Sequence, residues 1–280
     1  MSPFIRGNSR PLISITRVKV EELVLKHVQA GNAEHVSVYF QSLATGYWFG
    51  ISEYEKFIPA SLLKLPLAMG IMARASTDKT LLGRRLPLAD TGTGPTPEIP
   101  PRFKLQPGRS YSVGRLIKQM LVTSDNSAST TLVVHFSHKP LLKVLKDFGL
   151  APDNKETDFI TVKQYMMMLL SLYNSTYLDA DSSQTLLGYL SQSEYADGIA
   201  AGLPHGVPVA HKFGEREIYA STGLTGVKQL HDCGIVYYSN ATYLLGVMTR
   251  GKDLKKQGQV VRDVSALIYK EVSTRYEQRN

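Results

Sequence analysis

Cysteine is almost absent: of 280 residues only Cys233 carries a thiol. That excludes an internal disulfide and a cysteine-built zinc site, and it leaves the redox compartment open. Long hydrophobic runs are missing too, so nothing in the sequence is fit to span a membrane. The opening MSPFIRGNSR lacks the apolar core of an export signal. It leaves two expectations, a cytoplasmic protein or one from which an export segment has been removed. Formal net charge is +8, yet no dense Lys/Arg run precedes the tail. The excess reads as solubility and weak attraction to anionic surfaces rather than as nucleic-acid binding. The seven histidines show no ligand-like spacing, so no metal or organic cofactor is expected. His135, His138 and His211 read as ordinary surface or core residues. No internal repeat is found.

What is present is a globular composition, long enough for one large domain or two interleaved ones. Apolar periodicity predicts a helix over 18–28, with strands over 35–40 and 47–51 joined by the turn Ala44-Thr45-Gly46. Residues 61–75 read as a helix that is apolar on almost every side, and such a helix is usually central. A Gly/Pro-rich loop, TGTGPTPEIPPRF, covers 91–103. Further helices are predicted over 113–122, 127–136, 140–148 and 162–173, with another beginning near 184–189. The texture then turns to β over 207–213, 233–238 and 243–249, and a helix over 260–276 closes the chain before a fraying tail, TRYEQRN. Strands at both ends of a helical middle are expected to rejoin into one sheet. This gives an N-terminal extension over 1–17, an α/β sheet domain built from 18–54 and 205–280, and an inserted helical domain over 55–204.

Three stretches carry chemistry. The first is PASLLKLP, where Ser61 and Lys64 stand about one helical turn apart and so share a face. A lysine among apolar neighbours is costly unless something pairs or uses it. A serine at a helix start has free backbone N–H groups and the positive dipole end beside it, parts suited to a nucleophile and an oxyanion site. S-x-x-K alone is weak, since a chain of this length holds about one by chance. A second copy, Ser76 to Lys79 in STDKT, reads as a solvated helix end. A helix-capping serine with a snorkelling lysine is the structural alternative for Ser61 and Lys64. The second stretch is Ser124-Asp125-Asn126, in a turn between two predicted helices, where capping is again the alternative use. The third is HKFGE, at a strand end, where Gly214 permits close approach to the backbone.

The order of the three is more specific than any one of them. S-x-x-K on an apolar helix, then S-D-N, then K-x-G on a late strand resembles the signature of the penicillin-recognising active-site serine hydrolases, and among them the class A β-lactamase-like group. QPGRSYSVGRLIKQMLVTSDNSAST, GIAAGLP before VPVAHKFGE, and HDCGIVYY before YLLGVMTRG resemble further stretches of that family. The resemblance covers roughly 20–272. It implies an antiparallel sheet of about five strands flanked by the terminal helices, an inserted all-helical domain, and a site in the groove between them. It also implies an acyl-enzyme on Ser61, with Lys64 taking its proton. For that Lys64 must be neutral when it acts, and both burial and a second cation, Lys212, disfavour its charge. Ser124 would relay a proton to the leaving nitrogen and Asn126 would hold the substrate's side-chain amide. Lys212 would bring positive charge to the substrate carboxylate and to Ser124. The backbone N–H groups of Ser61 and Glu215 would form the oxyanion hole. Phe213, Gly214, Glu215 and Arg216 would line the substrate, which would be a β-lactam or a D-Ala-D-Ala-type peptide. A monomer in the periplasm or outside the cell is the family expectation.

Two departures stand out. Phe213 replaces the Thr or Ser that follows the lysine in the family's third motif, so a hydroxyl for the substrate carboxylate is missing, and Arg216 is the nearest substitute cation. The deacylating glutamate of an E-x-x-L-N stretch is also missing. Only APDNKETDFI joins the helices there, and its one glutamate, Glu156, reads as a solvated loop charge. Without that glutamate the acyl-enzyme is expected to hydrolyse slowly unless another base, Lys64 for example, serves. The alternatives to a β-lactam hydrolase are a D,D-peptidase, a sensor that stays acylated, and a non-catalytic relative.

Overall fold

A computed structural model describes residues 9–89, 98–150, 160–218, 226–239 and 241–277. Glu156 and the first part of the Gly/Pro-rich loop lie outside them, as do the first eight residues and the last three.

The chain opens with α1 (Ser9–Gln29), which starts well before residue 18 and takes in part of the stretch read as an extension. Then come β1 (His35–Ser42), β2 (Trp48–Ile51) and the short β3 (Lys56–Phe57). A single 3₁₀ turn, Ala60–Leu63, leads into α2 (Lys64–Ala75). The middle holds β4 (Arg85–Pro87), β5 (Ser110–Ser112), α3 (Val113–Val122), α4 (Asn126–Phe136) and α5 (Lys139–Asp147). After it come β6 (Ile160–Thr161), α6 (Val162–Tyr173) and α7 (Ala180–Leu190). The chain ends with β7 (Val209–Ile218), β8 (Val227–Val236), β9 (Tyr243–Gly251) and α8 (Leu254–Glu277). That last helix runs on into the stretch read as a fraying tail.

Five strands form one antiparallel sheet in the order β2-β1-β9-β8-β7. Side chains alternate across it, as strand geometry requires. Val38, Phe40, Leu245 and Val247 face one way and pack with Val20 of α1 and Val264 of α8. Tyr39, Leu244, Met248 and Ile235 face the other way and join the core of the helical layer, with Met166 of α6. Gly246 lets α6 lie on the sheet: a β-carbon there would sit 2.6 Å from the Met166 sulfur and 2.7 Å from Val162. β7 is an edge strand, and its free edge runs beside the 3₁₀ turn that carries Ser61.

The apolar run after Ser61 is central, as its composition demands. Every residue from Lys64 to Met72 is buried. Each large apolar side chain there contributes about 1.5–3 kcal/mol, which offsets the cost of enclosing one amine. α3 begins where the sequence foretells, α2 begins at Lys64, after a 3₁₀ turn that holds Ser61, and α7 begins earlier than expected, where Asp179 caps it by accepting from the Ser182 N–H at 2.7 Å. β3–β6 and β4–β5 are two small antiparallel pairs outside the main sheet. Among the described residues no helix is long and apolar enough to cross a membrane.

Candidate active site

The chain reaches Ser61 under tension and under restraint. Ala60, just before it, has φ of 48°, a left-handed conformation that costs a non-glycine residue about 1–3 kcal/mol. Ile58 is held at both backbone groups by β8. Its N–H donates to Gln229 Oε1 at 3.0 Å, and its carbonyl accepts from His231 Nε2 at the same distance. Both side chains are buried. His231 also packs edge-on to Phe57. Burial pushes its pKa down to about 4, so the neutral Nε2–H form persists. Gln229 and His231 were not singled out in the sequence. The available signal is slight: Gln229 and His231 stand at i and i+2, on one face of a strand that also carries Lys228 and Asp232.

Lys64 ties this turn to the junction of α3 and α4. Its Nζ donates to the Ser124 carbonyl at 2.6 Å, to Asn126 Oδ1 at 2.7 Å and to Ser124 Oγ at 3.1 Å. The junction is shaped for this. Ser124 has φ of 58° and turns its hydroxyl toward the amine. Asp125 is buried and structural: Oδ1 accepts the Ala128 N–H that opens α4, and Oδ2 accepts the Leu105 N–H. The capping reading therefore describes Asp125, while Ser124 and Asn126 face Lys64. Burial brings the Lys64 pKa down to about 7, against the opposing pull of the Asp125 and Glu215 carboxylates.

Lys212 comes to the same hydroxyl from β7. Its Nζ donates to Ser124 Oγ at 3.0 Å and to the Phe213 carbonyl at 2.8 Å. Burial holds its pKa well below the ordinary lysine value, and the charge of Lys64 lowers it further. The effect of one amine on the other thus appears on Lys212, with burial governing Lys64. Behind Lys212 lies a buried pair, His211 Nδ1 to Asp232 Oδ1 at 2.8 Å, with Asp232 Oδ2 also accepting the Ile199 N–H. His211 is a core residue, as read. Gly214 closes the ring of contacts, since a β-carbon there would lie 3.2 Å from the Ser61 nitrogen.

These contacts bring Ser61-Lys64, Ser124-Asn126 and Lys212-Gly214 together. Ser61, Lys64, Asn126, Glu215 and Arg216 line a cleft of about 530 Å³. His138, an exposed surface residue, lines it too. Phe213 does not line this cleft. Its ring is buried, stacked on Tyr195 with centroids 4.2 Å apart, and it borders a smaller pocket of about 100 Å³. Ser76 and Lys79 are exposed at the far end of α2. Among the described residues no three His, Cys, Asp or Glu side chains gather as a metal site needs. A half-buried serine, a lysine near neutrality and a second serine shared by two amines can together move one proton away from a nucleophile and another onto a leaving group.

Solved structures share this fold. A β-lactamase from Xanthomonas campestris pv. campestris aligns with a TM-score of 0.77 at 18% identity, over 93% of this chain and 98% of that one. The class A β-lactamase of Mycobacterium abscessus aligns at 0.74 and 19%, over 89% and 97%. PBP-A, in a mutant acyl-enzyme complex with penicillin G, aligns at 0.72 and 19%, over 91% and 96%. A comparison with curated protein sequences gave no match. The sequence matches the model of the β-lactamase enzyme family over residues 19–272, nearly its whole length, and the chain belongs to that family.

Proposed function

We propose that the protein is a serine hydrolase that opens β-lactams through an acyl-enzyme on Ser61. The observation that carries this reading is the Lys64 amine, held at 2.7 Å from Asn126 and 3.1 Å from the Ser124 hydroxyl one helical turn from Ser61. In the proposed sequence neutral Lys64 takes the Ser61 hydroxyl proton as Oγ attacks the lactam carbonyl. The backbone N–H groups of Ser61 and Glu215 hold the oxyanion. The C–N bond then breaks, and the nitrogen takes its proton from Ser124, which is resupplied from Lys64. Asn126 holds the substrate's amide. Lys212 keeps Ser124 oriented. Water later hydrolyses the ester, and with no E-x-x-L-N stretch in the sequence this second step is slow. A mutant of PBP-A, which shares the fold, forms an acyl-enzyme complex with penicillin G.

A D,D-peptidase acting on cell-wall peptides uses the same three motifs without that glutamate, and the missing stretch favours it as the second reading. Mixing the protein with a chromogenic cephalosporin, while following colour and intact mass, separates the two. Many turnovers support the hydrolase. One burst with a lasting mass increase supports the peptidase or a sensor. No adduct rejects both. Loss of the adduct in Ser61→Ala, and its retention in Ser76→Ala, identifies the nucleophile.

A further inference from the structure

The two ends of the cleft differ in chemistry. At the β7 end the lysine amines, Lys64 and Lys212, are both buried, and among the described residues the cation on the cleft wall is Arg216, next in sequence to the Glu215 carboxylate. Lys212 is 1% exposed, and it donates to Ser124 Oγ and the Phe213 carbonyl. The Phe213 ring, where the family carries a hydroxyl, stands 4.3 Å from its Nζ. Tyr195 stacks on that ring and Ile99 packs against the pair. The segment bearing Ile99 is tied down twice. Its N–H donates to Glu215 Oε1 at 3.3 Å, and Glu98 pairs with Lys228 of β8 at 2.5 Å. The ladder partner of Lys212 is Cys233, which is buried and neutral in kind. Glu215 adds a carboxylate to the cleft wall itself.

The other end is mostly apolar. Beyond Asn126 the lining is Val133 of α4, Leu141, Leu142 and Leu145 of α5, and Leu150 and Ile160, with Ser129 and His138 as its polar members. Leu142 is 42% exposed, an apolar surface on the open side of the cleft. If Asn126 holds the substrate's amide, the acyl group lies on this side.

We infer that the site draws its affinity from an apolar acyl group seated against α4 and α5, and makes no use of a substrate carboxylate. Neutral and anionic forms of one acyl donor therefore acylate Ser61 at similar rates. This rests on the acyl-enzyme reading above and names the substrates that suit it. Leu141, Leu142 and Leu145 decide the first property, and Phe213, Tyr195 and Ile99 the second.

The test measures acylation rate constants by intact mass on the full chain, with peptide mapping to Ser61. The β-lactam probes are benzylpenicillin, its methyl ester and 6-aminopenicillanic acid. A parallel pair of esters joins phenylacetylglycine to phenol or to 3-hydroxybenzoic acid, one neutral and one anionic. In these the C–O bond breaks and the phenol leaves with the Ser124 proton. Benzylpenicillin and its ester are expected to react within threefold of each other, and at least tenfold faster than the unsubstituted nucleus. Leu145→Gln should narrow the second ratio, and Phe213→Thr should speed the acid relative to the ester. An acid that leads its ester tenfold overturns the inference, and if Arg216→Ala removes that lead, Arg216 is the carboxylate site. Should the esters acylate Ser61 while no β-lactam does, the β-lactam reading falls and the ester pair decides this one. If neither class labels Ser61, both fall. Circular dichroism of each variant reports folding.

Discussion

Lys64 and Lys212 converge on one hydroxyl: their Nζ atoms stand 3.1 and 3.0 Å from Ser124 Oγ. Two buried amines that close together resist carrying charge at once. With Lys64 titrating at about 7, acylation by a β-lactam should rise with pH through that value and level off above it. Lys64→Arg keeps the positive charge but cannot lose its proton in the working range. Adduct formation followed by mass spectrometry from pH 5 to 9 should show the rise in the wild type. It should show a loss of about 10²–10⁴-fold in the variant, the usual worth of general-base catalysis.

The same amine makes stability depend on pH. Lys64 binds its proton below about 7 when folded and below 10.5 when unfolded. Between those values the unfolded chain holds the extra proton, so stability climbs as pH rises from about 7 toward 10.5. Below about 7 both states are protonated and this contribution is at its minimum. Urea unfolding at pH 6.5, 8 and 9.5 should give a steeper rise for the wild type than for Lys64→Met, by up to about 1.4 kcal/mol per pH unit. Equal slopes would place the folded value near the unfolded one.

His231 acts at the acid end. Its folded pKa of about 4 lies below the ordinary 6.5. The unfolded chain therefore takes up a proton first, and stability falls as pH drops from about 6.5 to about 4, by about 3 kcal/mol in all. His231→Gln can still donate to the Ile58 carbonyl and has nothing to protonate. Its thermal midpoint should vary less across that window than the wild type's. Its acylation rate should stay closer to wild type than that of His231→Ala, which leaves the Ile58 carbonyl without its donor.

The pattern of strands and helices was legible because it is written in local periodicity. The apolar stripe of α3 and the β-rich texture of the last strands need no partner to be read. The gathering of Ser61, Lys64, Ser124 and Lys212 was legible only through motif order, since nothing local says that Lys64 will meet a turn some sixty residues on. The clamp on Ile58 was missed because Gln229 and His231 act across more than 170 residues, and each alone looks like a strand polar residue. Phe213 shows the limit at a single position. Sequence places it in the third motif, beside the substrate, but a large ring on a crowded strand finds more contact against Tyr195, and packing outweighs position. The ends of α1, α7 and α8 ran past their periodic cores because helix ends follow caps and packing more than pattern.

Two glycines of the same chain should respond to alanine in opposite directions. At Gly214 the added carbon would sit 3.0 Å from the Pro59 carbonyl oxygen, 3.1 Å from Leu62 N and 3.2 Å from Ser61 N. All three are backbone atoms, so β7 and the 3₁₀ turn must move apart by a few tenths of an ångström. That turn is already strained at Ala60 and pinned at Ile58, and it carries the proposed nucleophile and one donor of the proposed oxyanion hole. Gly214→Ala should therefore cost about 1–3 kcal/mol of stability and slow acylation at least about tenfold, because small misplacements of reacting groups are costly. Gly188 lies inside α7 with open space around it. Gly188→Ala should instead stabilise the fold by about 0.5–1 kcal/mol by restricting the unfolded chain, and leave acylation unchanged. Denaturation midpoints and adduct kinetics on both variants check the pair, and a Gly214→Ala protein with wild-type acylation would show that β7 does not press on the Ser61 turn.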